Sequence, residues 1–425
     1  MCSSTQNPSL FIQWLKKEVK PALGCTEPVA IAFAAAYAAQ HLDEEVEKIT
    51  GSISANLFKN AMGVTIPGTD CCGVNMAAAI GAVGGDAQRG LETLKGITAA
   101  HLEQARQLLP DVSIQASDTK DFIDIDLTAC GKQNHCRVVV RGAHTHVVSV
   151  SLNGKELAAG KSTDNTVSEA TLAPFSLKEA FDYINQAPFE DIAFILEAAR
   201  LNRALSDEGK RRRYGLNINQ VLSGAIDAGL ADNSLMNRIL IDTVAASDAR
   251  MGGASVPAMS NFGSGNQGIA ATMPVVVLAD ALNASEEELA RALALSHLSA
   301  ISIHSRYTRL SALCAATTAS MGAASGMAWL FTKDFKAVSH AVTNMISDVT
   351  GIICDGASNS CAMKVSTATL SAFKAVLMAR ENCYADSHDG IVGPDVEDSI
   401  SHLCRLVIHP MTFTDKEIIN IMMSK

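Results

Sequence analysis

Hydrophobic and polar positions follow three regimes along the chain. Residues 8–42 carry helical spacing interrupted by "PALGC", which predicts two helices. From residue 45 the pattern turns mixed. "EKITGSISANLF" has strand character and leads into "KNAMGVTIPGTDCCG", which reads as a glycine-rich loop, and residues 74–109 return to helix with a break at "GAVGGD". "DVSIQASD", "FIDIDLTAC", "HCRVVVRG" and "THVVSVSLNGKEL" then alternate apolar and polar residues, with turn signals between them. They predict a small antiparallel sheet covered on one face by the preceding helices.

Residues 157–176, "LAAGKSTDNTVSEATLAPFS", are polar and rich in small residues and read as the exit from this region. Beyond residue 177 nearly everything has helical character: 177–185, 189–205, 216–229, 233–247, 268–282, 285–300, 307–331, 333–348 and 362–379. Several of these segments are apolar all round, the mark of buried helices in a layered bundle. The fold class is α+β: a large all-α core domain with a smaller α/β domain containing an antiparallel sheet. The expected division is 1–44 as N-terminal helices packing on the core domain, 45–176 as the α/β domain and 177–425 as the all-α domain.

Composition supports close helix packing, because 48% of the 425 residues are hydrophobic but only 5% aromatic. The core must therefore be built from Ala, Val, Ile, Leu and Met. A net charge of -10 argues against nucleic acid or an anionic membrane as partner, and the basic run "KRRR" at 210–213 reads as a solvated helix end. No signal peptide is evident at the start. Residues 310–332 lack charge over a length that could span a bilayer, yet fifteen of these 23 are Ala, Gly, Ser or Thr. That suits a buried central helix, and the expected location is cytoplasmic.

Eleven cysteines in a reducing compartment point to metal binding or catalysis rather than disulfides. Cys25 falls at or just before a helix start, with Thr26 as a suitable N-cap. Unpaired N–H groups and the helix dipole there favour a thiolate, against the local opposition of Glu27. The plain alternative is a small buried residue at a turn.

"FGSGNQG", residues 262–268, matches G-x-G-x-x-G without the strand and distant acid of a dinucleotide site. What remains is a glycine-rich turn opening onto a helix, where N–H groups bind anions and Asn266 and Gln267 add amides. Its likeness to the asparagine loop of pyridoxal-phosphate lyases is local, since no lysine lies between Arg213 and Lys333.

Cys354 and Cys361 flank a loop rich in Gly, Ser and Asn, and Cys314 lies forty residues earlier within the charge-free helix. Three thiolates with no obvious fourth partner suit a [4Fe–4S] cluster with one open iron, a zinc with an open site, or no metal at all. A rival zinc site could form from Cys130, His135, Cys136, His144 and His146, for which a polar hairpin is the simpler account.

Four segments in order, "PALGCTEP", "NLFKNAMGVTIPGT", "SNFGSGNQGI" and "CDGASNSC", resemble the L-cysteine desulfidase family, within the iron–sulfur L-serine dehydratase alpha-chain superfamily. The resemblance spans nearly the whole chain. It implies conversion of L-cysteine to pyruvate, ammonia and hydrogen sulfide, with an oxygen-sensitive [4Fe–4S] cluster and no pyridoxal phosphate. On this sequence the family's cluster cysteines fall on Cys314, Cys354 and Cys361, which makes the all-α domain the cluster-binding one. The thiolate base falls on Cys25, and the substrate loop on Ser264, Gly265, Asn266 and Gln267.

Read together, an α,β-elimination needs a base for the Cα proton and a Lewis acid for the departing sulfur. The helix start at 263–268 can hold a carboxylate, with Lys59 and Asn60 as further candidates for that task. The partner implied is a small amino acid; nucleic acid and membrane are not expected, and a homodimer is compatible. The alternatives are a serine or other β-substituted amino-acid dehydratase with the same cluster, and a non-enzymatic iron–sulfur redox sensor.

Overall fold

A computed structural model describes residues 9–424 except 23, 118, 120, 122, 158–171 and 308–310. Most of the segment expected to link the two regions lies outside the described residues. Two separate hydrophobic cores organise the rest. One gathers residues of 29–150 around a sheet; the other gathers 12–19 with residues from 175 to 407 in a helical stack.

In the first part of the chain, α1 (Leu10–Glu18) and β1 (Pro21–Ala22) lead into α2 (Thr26–Leu42). Then follow β2 (Lys48–Ser54), α3 (Ala55–Ala61), α4 (Val74–Gly84) and α5 (Ala99–Leu108). The strands β3 (Val112–Ser117), β4 (Asp124–Cys130), β5 (His135–Arg141), β6 (Val147–Leu152) and β7 (Lys155–Leu157) complete this part. Six strands form one sheet in the order β3-β2-β4-β5-β6-β7. The four later strands make the antiparallel ladder that the alternation predicts. The β2–β3 pair is parallel, which corrects the purely antiparallel expectation. The physical reason is the connection: α3, α4 and α5 lie between β2 and β3, and such a crossover returns the chain in the same direction.

α2 packs on α4 and on β4 and β5, and eleven of its seventeen residues are buried. It therefore belongs to the sheet's core, whereas α1 packs on the helical stack; the expectation that both would pack on that stack is corrected for α2. An all-apolar helix needs cover around its circumference, and the sheet face beside α4 supplies it.

The helical part comprises α6 (Leu177–Gln186), α7 (Phe189–Ile192), α8 (Leu196–Arg211), α9 (Ile218–Asp227) and α10 (Leu235–Met251), then β8 (Ala258–Met259) and α11 (Gly265–Ala281). It continues with α12 (Glu286–His304), α13 (Ala315–Thr332), α14 (Phe335–Val349), α15 (Cys361–Arg380), α16 (Val396–Ile408) and α17 (Met411–Met423). α13 is the central helix, packed against α11, α12, α14 and α15. It begins at Ala315 rather than 307, because 312–314 instead pair with 352–354. β1 pairs antiparallel with β8, so the residues just before Cys25 are stitched to the helical part while α2 belongs to the sheet. Among the described residues no helix is long and apolar enough to cross a membrane.

Candidate active site

The site forms where this crossing meets three helix starts. Cys25 is itself the N-cap of α2, the place expected for Thr26, and it is 5% exposed. Its Sγ donates to Glu27 Oε2 at 2.9 Å, and the Thr26 hydroxyl donates to the same oxygen at 3.3 Å. Burial pushes the Cys25 thiol well above its ordinary range, with the Glu27 carboxylate adding to the rise and the Arg250 guanidinium opposing it. The expectation of a lowered pKa is thus corrected. Loss of water and a nearby carboxylate outweigh the helix start, so the resting group is a thiol.

Cys314, Cys354 and Cys361 are brought together. Cys314 lies outside α13 as its N-cap, not within the helix as its sequence position suggested. A bridge between Leu313 and Ile353 joins its segment to that of Cys354. The Cys314 N–H donates to Ile352 O at 3.0 Å and the Cys354 N–H to Ala312 O at 2.7 Å. Cys361 opens α15, and its Sγ accepts the Ser358 N–H at 3.4 Å. Burial, with Cys354 and Cys361 adding to the rise, pushes Cys314 up to about 12, and Cys354 also acts on Cys361, so each thiol stands within electrostatic reach of the others. Cys25 and Cys361 share a small apolar cluster with Val64, Met251 and Ala357.

All these cysteines are free. Among the described residues no group of three or more His, Cys, Asp or Glu could hold a metal ion. That holds for the hairpin residues and for Cys314, Cys354 and Cys361 alike. In the hairpin, Cys136 points into the sheet's core while the neighbouring His135 is exposed, as alternation along a strand requires. In donor type and number three thiols without a fourth protein ligand would suit a [4Fe–4S] cluster, but as they stand they do not form a group that could hold a metal ion.

The remaining candidates are committed inside the fold. Lys59 and Asn60 lie on α3, not in a loop. The Lys59 ammonium is fully buried and pairs with Asp415 Oδ1 of α17 at 2.5 Å, also donating to Cys354 O at 3.4 Å. It holds the Cys354–Cys361 loop from behind. Asn60 donates to Asn56 O at 2.8 Å within its own helix. Gly356, at φ +94, lets that loop lie on α3, since a Cβ there would stand 2.1 Å from Lys59 O. Beside the loop, a cavity of about 500 Å³ opens between Gly63, Asp355, Ser358 and the α17 residues Ile418 and Ile421.

Ser264 caps α11, accepting the Gln267 N–H at 3.2 Å. The Gln267 amide bridges His304 Nδ1 at 2.7 Å and Asn261 Oδ1 at 2.9 Å, and Asn261 in turn reaches His297. Asn266 binds Ser247 Oγ and Met251 Sδ. The two glycines have packing reasons. A Cβ on Gly268 would stand 1.9 Å from Met259 O, and one on Gly265 2.1 Å from Arg250 Nε. Arg250, at the end of α10, escaped the sequence reading because a single arginine at a helix end forms no motif. The one signal for it was the second glycine of "FGSGNQG".

Comparison with known proteins shows the family. The serine dehydratase alpha chain family model matches residues 88–420. The UPF0597 protein of Klebsiella pneumoniae is 63% identical over 99% of this chain and all of its own length. That of Dichelobacter nodosus is 50% identical over 97% of this chain and 96% of its own. The UPF0597 protein YhaM of Salmonella gallinarum is 50% identical over the full length of both. With three cysteines converging inside the matched span and relatives alike from end to end, the chain belongs to the serine dehydratase alpha chain family, among its UPF0597 members.

Proposed function

We propose that this protein is an iron–sulfur-dependent amino-acid lyase that converts L-cysteine and water to pyruvate, ammonia and hydrogen sulfide. The observation that carries the reading is the convergence of Cys314, Cys354 and Cys361 beside a buried fourth thiol, Cys25, in a chain of this family. Cys314, Cys354 and Cys361 would hold a [4Fe–4S] cluster. When bound, that cluster supplies a Lewis acid for the departing sulfur at the iron without a protein ligand.

The protein's own residues would handle the proton. Cys25, as thiolate, takes the Cα proton while the Cβ–S bond breaks; the resulting aminoacrylate tautomerises and adds water to give pyruvate and ammonia. Glu27 accepts the Cys25 hydrogen in the resting site and is the nearest group able to relay that proton away.

The family's name favours a second reading, L-serine dehydration by the same residues. A third, an iron–sulfur sensor, needs the three cluster cysteines but not Cys25. Iron and acid-labile sulfide should be measured in protein purified without oxygen, together with sulfide release from L-cysteine and pyruvate release from L-serine. The proposal expects about four irons and about four sulfides per chain, with cysteine the better substrate. Failure to acquire iron even on reconstitution would overturn it. Retained signalling chemistry in Cys25→Ser with no turnover in the wild type would favour the sensor.

A further inference from the structure

We propose that Arg250 is the anchor for the substrate's α-carboxylate and that Gly265 exists to let its guanidinium lie across the start of α11. This rests on the amino-acid lyase reading and names the group that would hold the amino acid. Arg250 is partly buried at the end of α10, yet no carboxylate among the described residues pairs with it. Its two contacts are Nη2 to Gly24 O at 3.2 Å and Nη1 to Met251 Sδ at 3.2 Å, while Nε is buried with no acceptor. By contrast, the partly buried Arg291 and Arg306 each pair with a glutamate at 2.6 Å. A half-buried guanidinium without a counter-ion calls for an anion, and its planar fork suits a carboxylate.

Position identifies which anion. Gly24 directly precedes Cys25, and the charge of Arg250 is felt at both Cys25 and Cys361. A carboxylate held there leaves Cα one bond away, near both Cys25 and Cys361. The start of α11 adds to the pull, since the N–H groups of Gly265 and Asn266 precede the first capped position at Gln267. The side chains of Ser264, Asn266 and Gln267 are engaged within the fold, which leaves Arg250 as the free charge at this turn.

The test uses cluster-loaded protein, with L-alanine as an unreactive probe and L-alaninamide as the same probe without its carboxylate. Calorimetric binding should favour L-alanine in the wild type by about 10- to 100-fold, the size of one charge-assisted contact. Arg250→Gln should level the two probes and raise KM for L-cysteine by a similar factor, with iron content unchanged. Arg250→Lys should keep part of the preference. Gly265→Ala, which displaces the guanidinium without removing it, should weaken L-alanine binding and so serves if Arg250→Gln fails to fold. Equal binding of both probes by the wild type, or an Arg250→Gln protein that keeps the preference and the KM, overturns the proposal. Sulfide release with unaltered KM in Arg250→Gln would sink the anchor and leave the lyase. Probe discrimination without sulfide release would do the reverse.

Discussion

The thiol of Cys25 points at the carboxylate of Glu27, 2.9 Å away, across the first turn of the helix that Cys25 caps. Cys25 is buried in a small apolar cluster, Glu27 is half-buried, and a single threonine separates them in sequence. Cys25→Ser keeps the shape but replaces the thiol by a hydroxyl far too weakly acidic to act as base. Turnover should fall by about 10³-fold, within the range of general-base contributions, while iron and sulfide stay at wild-type levels. Glu27→Gln should cost about 10-fold or more in kcat with less change in KM. Steady-state sulfide release and metal analysis on the same preparations check both.

Lys59 and Asp415 make the second prediction. Removing one partner of a buried pair strands the other, so Asp415→Asn should destabilise the protein by about 3 kcal/mol. The double variant Lys59→Met with Asp415→Asn should recover part of that loss. Chemical denaturation of the four proteins in the cycle reads the coupling. Because Lys59 also holds the Cys354 carbonyl, the single variants should in addition load less iron.

Acid should attack the fold through His297. Its ring is fully buried between Asn261 and Thr272, and burial lowers its pKa from 6.5 to about 3. The unfolded chain binds this proton near pH 6.5 and the folded one does not, so the unfolded state takes up more protons in between. The stability that depends on neutral His297 is complete above pH 6.5 and is lost progressively as pH falls toward 3. His297→Gln should flatten that part of the stability-against-pH curve by about one proton, measured by denaturant midpoints from pH 7 to 4.

Gly268→Ala separates the packing reason for "FGSGNQG" from any role with a ligand. The added methyl would collide with the Met259 carbonyl, a backbone atom that cannot swing aside. Overpacking of this kind costs about 1–3 kcal/mol, more than the helix propensity gained by alanine. Thermal unfolding should show the loss.

The strands were readable because alternation is a local property, and the charge-free run at α13 was readable as a buried helix for the same reason. The direction of β3 was not, since it depends on where the crossover helices return. The helix start at Cys25 was visible, yet the state of the thiol was not: it is decided by burial and by a carboxylate whose side-chain direction no sequence gives. Cys314, Cys354 and Cys361 could be picked out by type and spacing, but the approach of the Cys314 and Cys354 segments rests on the Leu313–Ile353 bridge between distant segments. Lys59 read as a loop residue free to meet a carboxylate because its partner lies 356 residues away.

That distance sets an order of events during synthesis. Cys25 and Lys59 leave the ribosome among the first residues, but the loop of Cys354 gains its backing only when Asp415 has followed. Long-range closure of this kind is slow relative to the helix formation that precedes it. A growing chain therefore presents folded helices and an α/β core long before the Cys354 loop is backed. On the proposed reading, iron and sulfide are delivered only after residue 415 has been made.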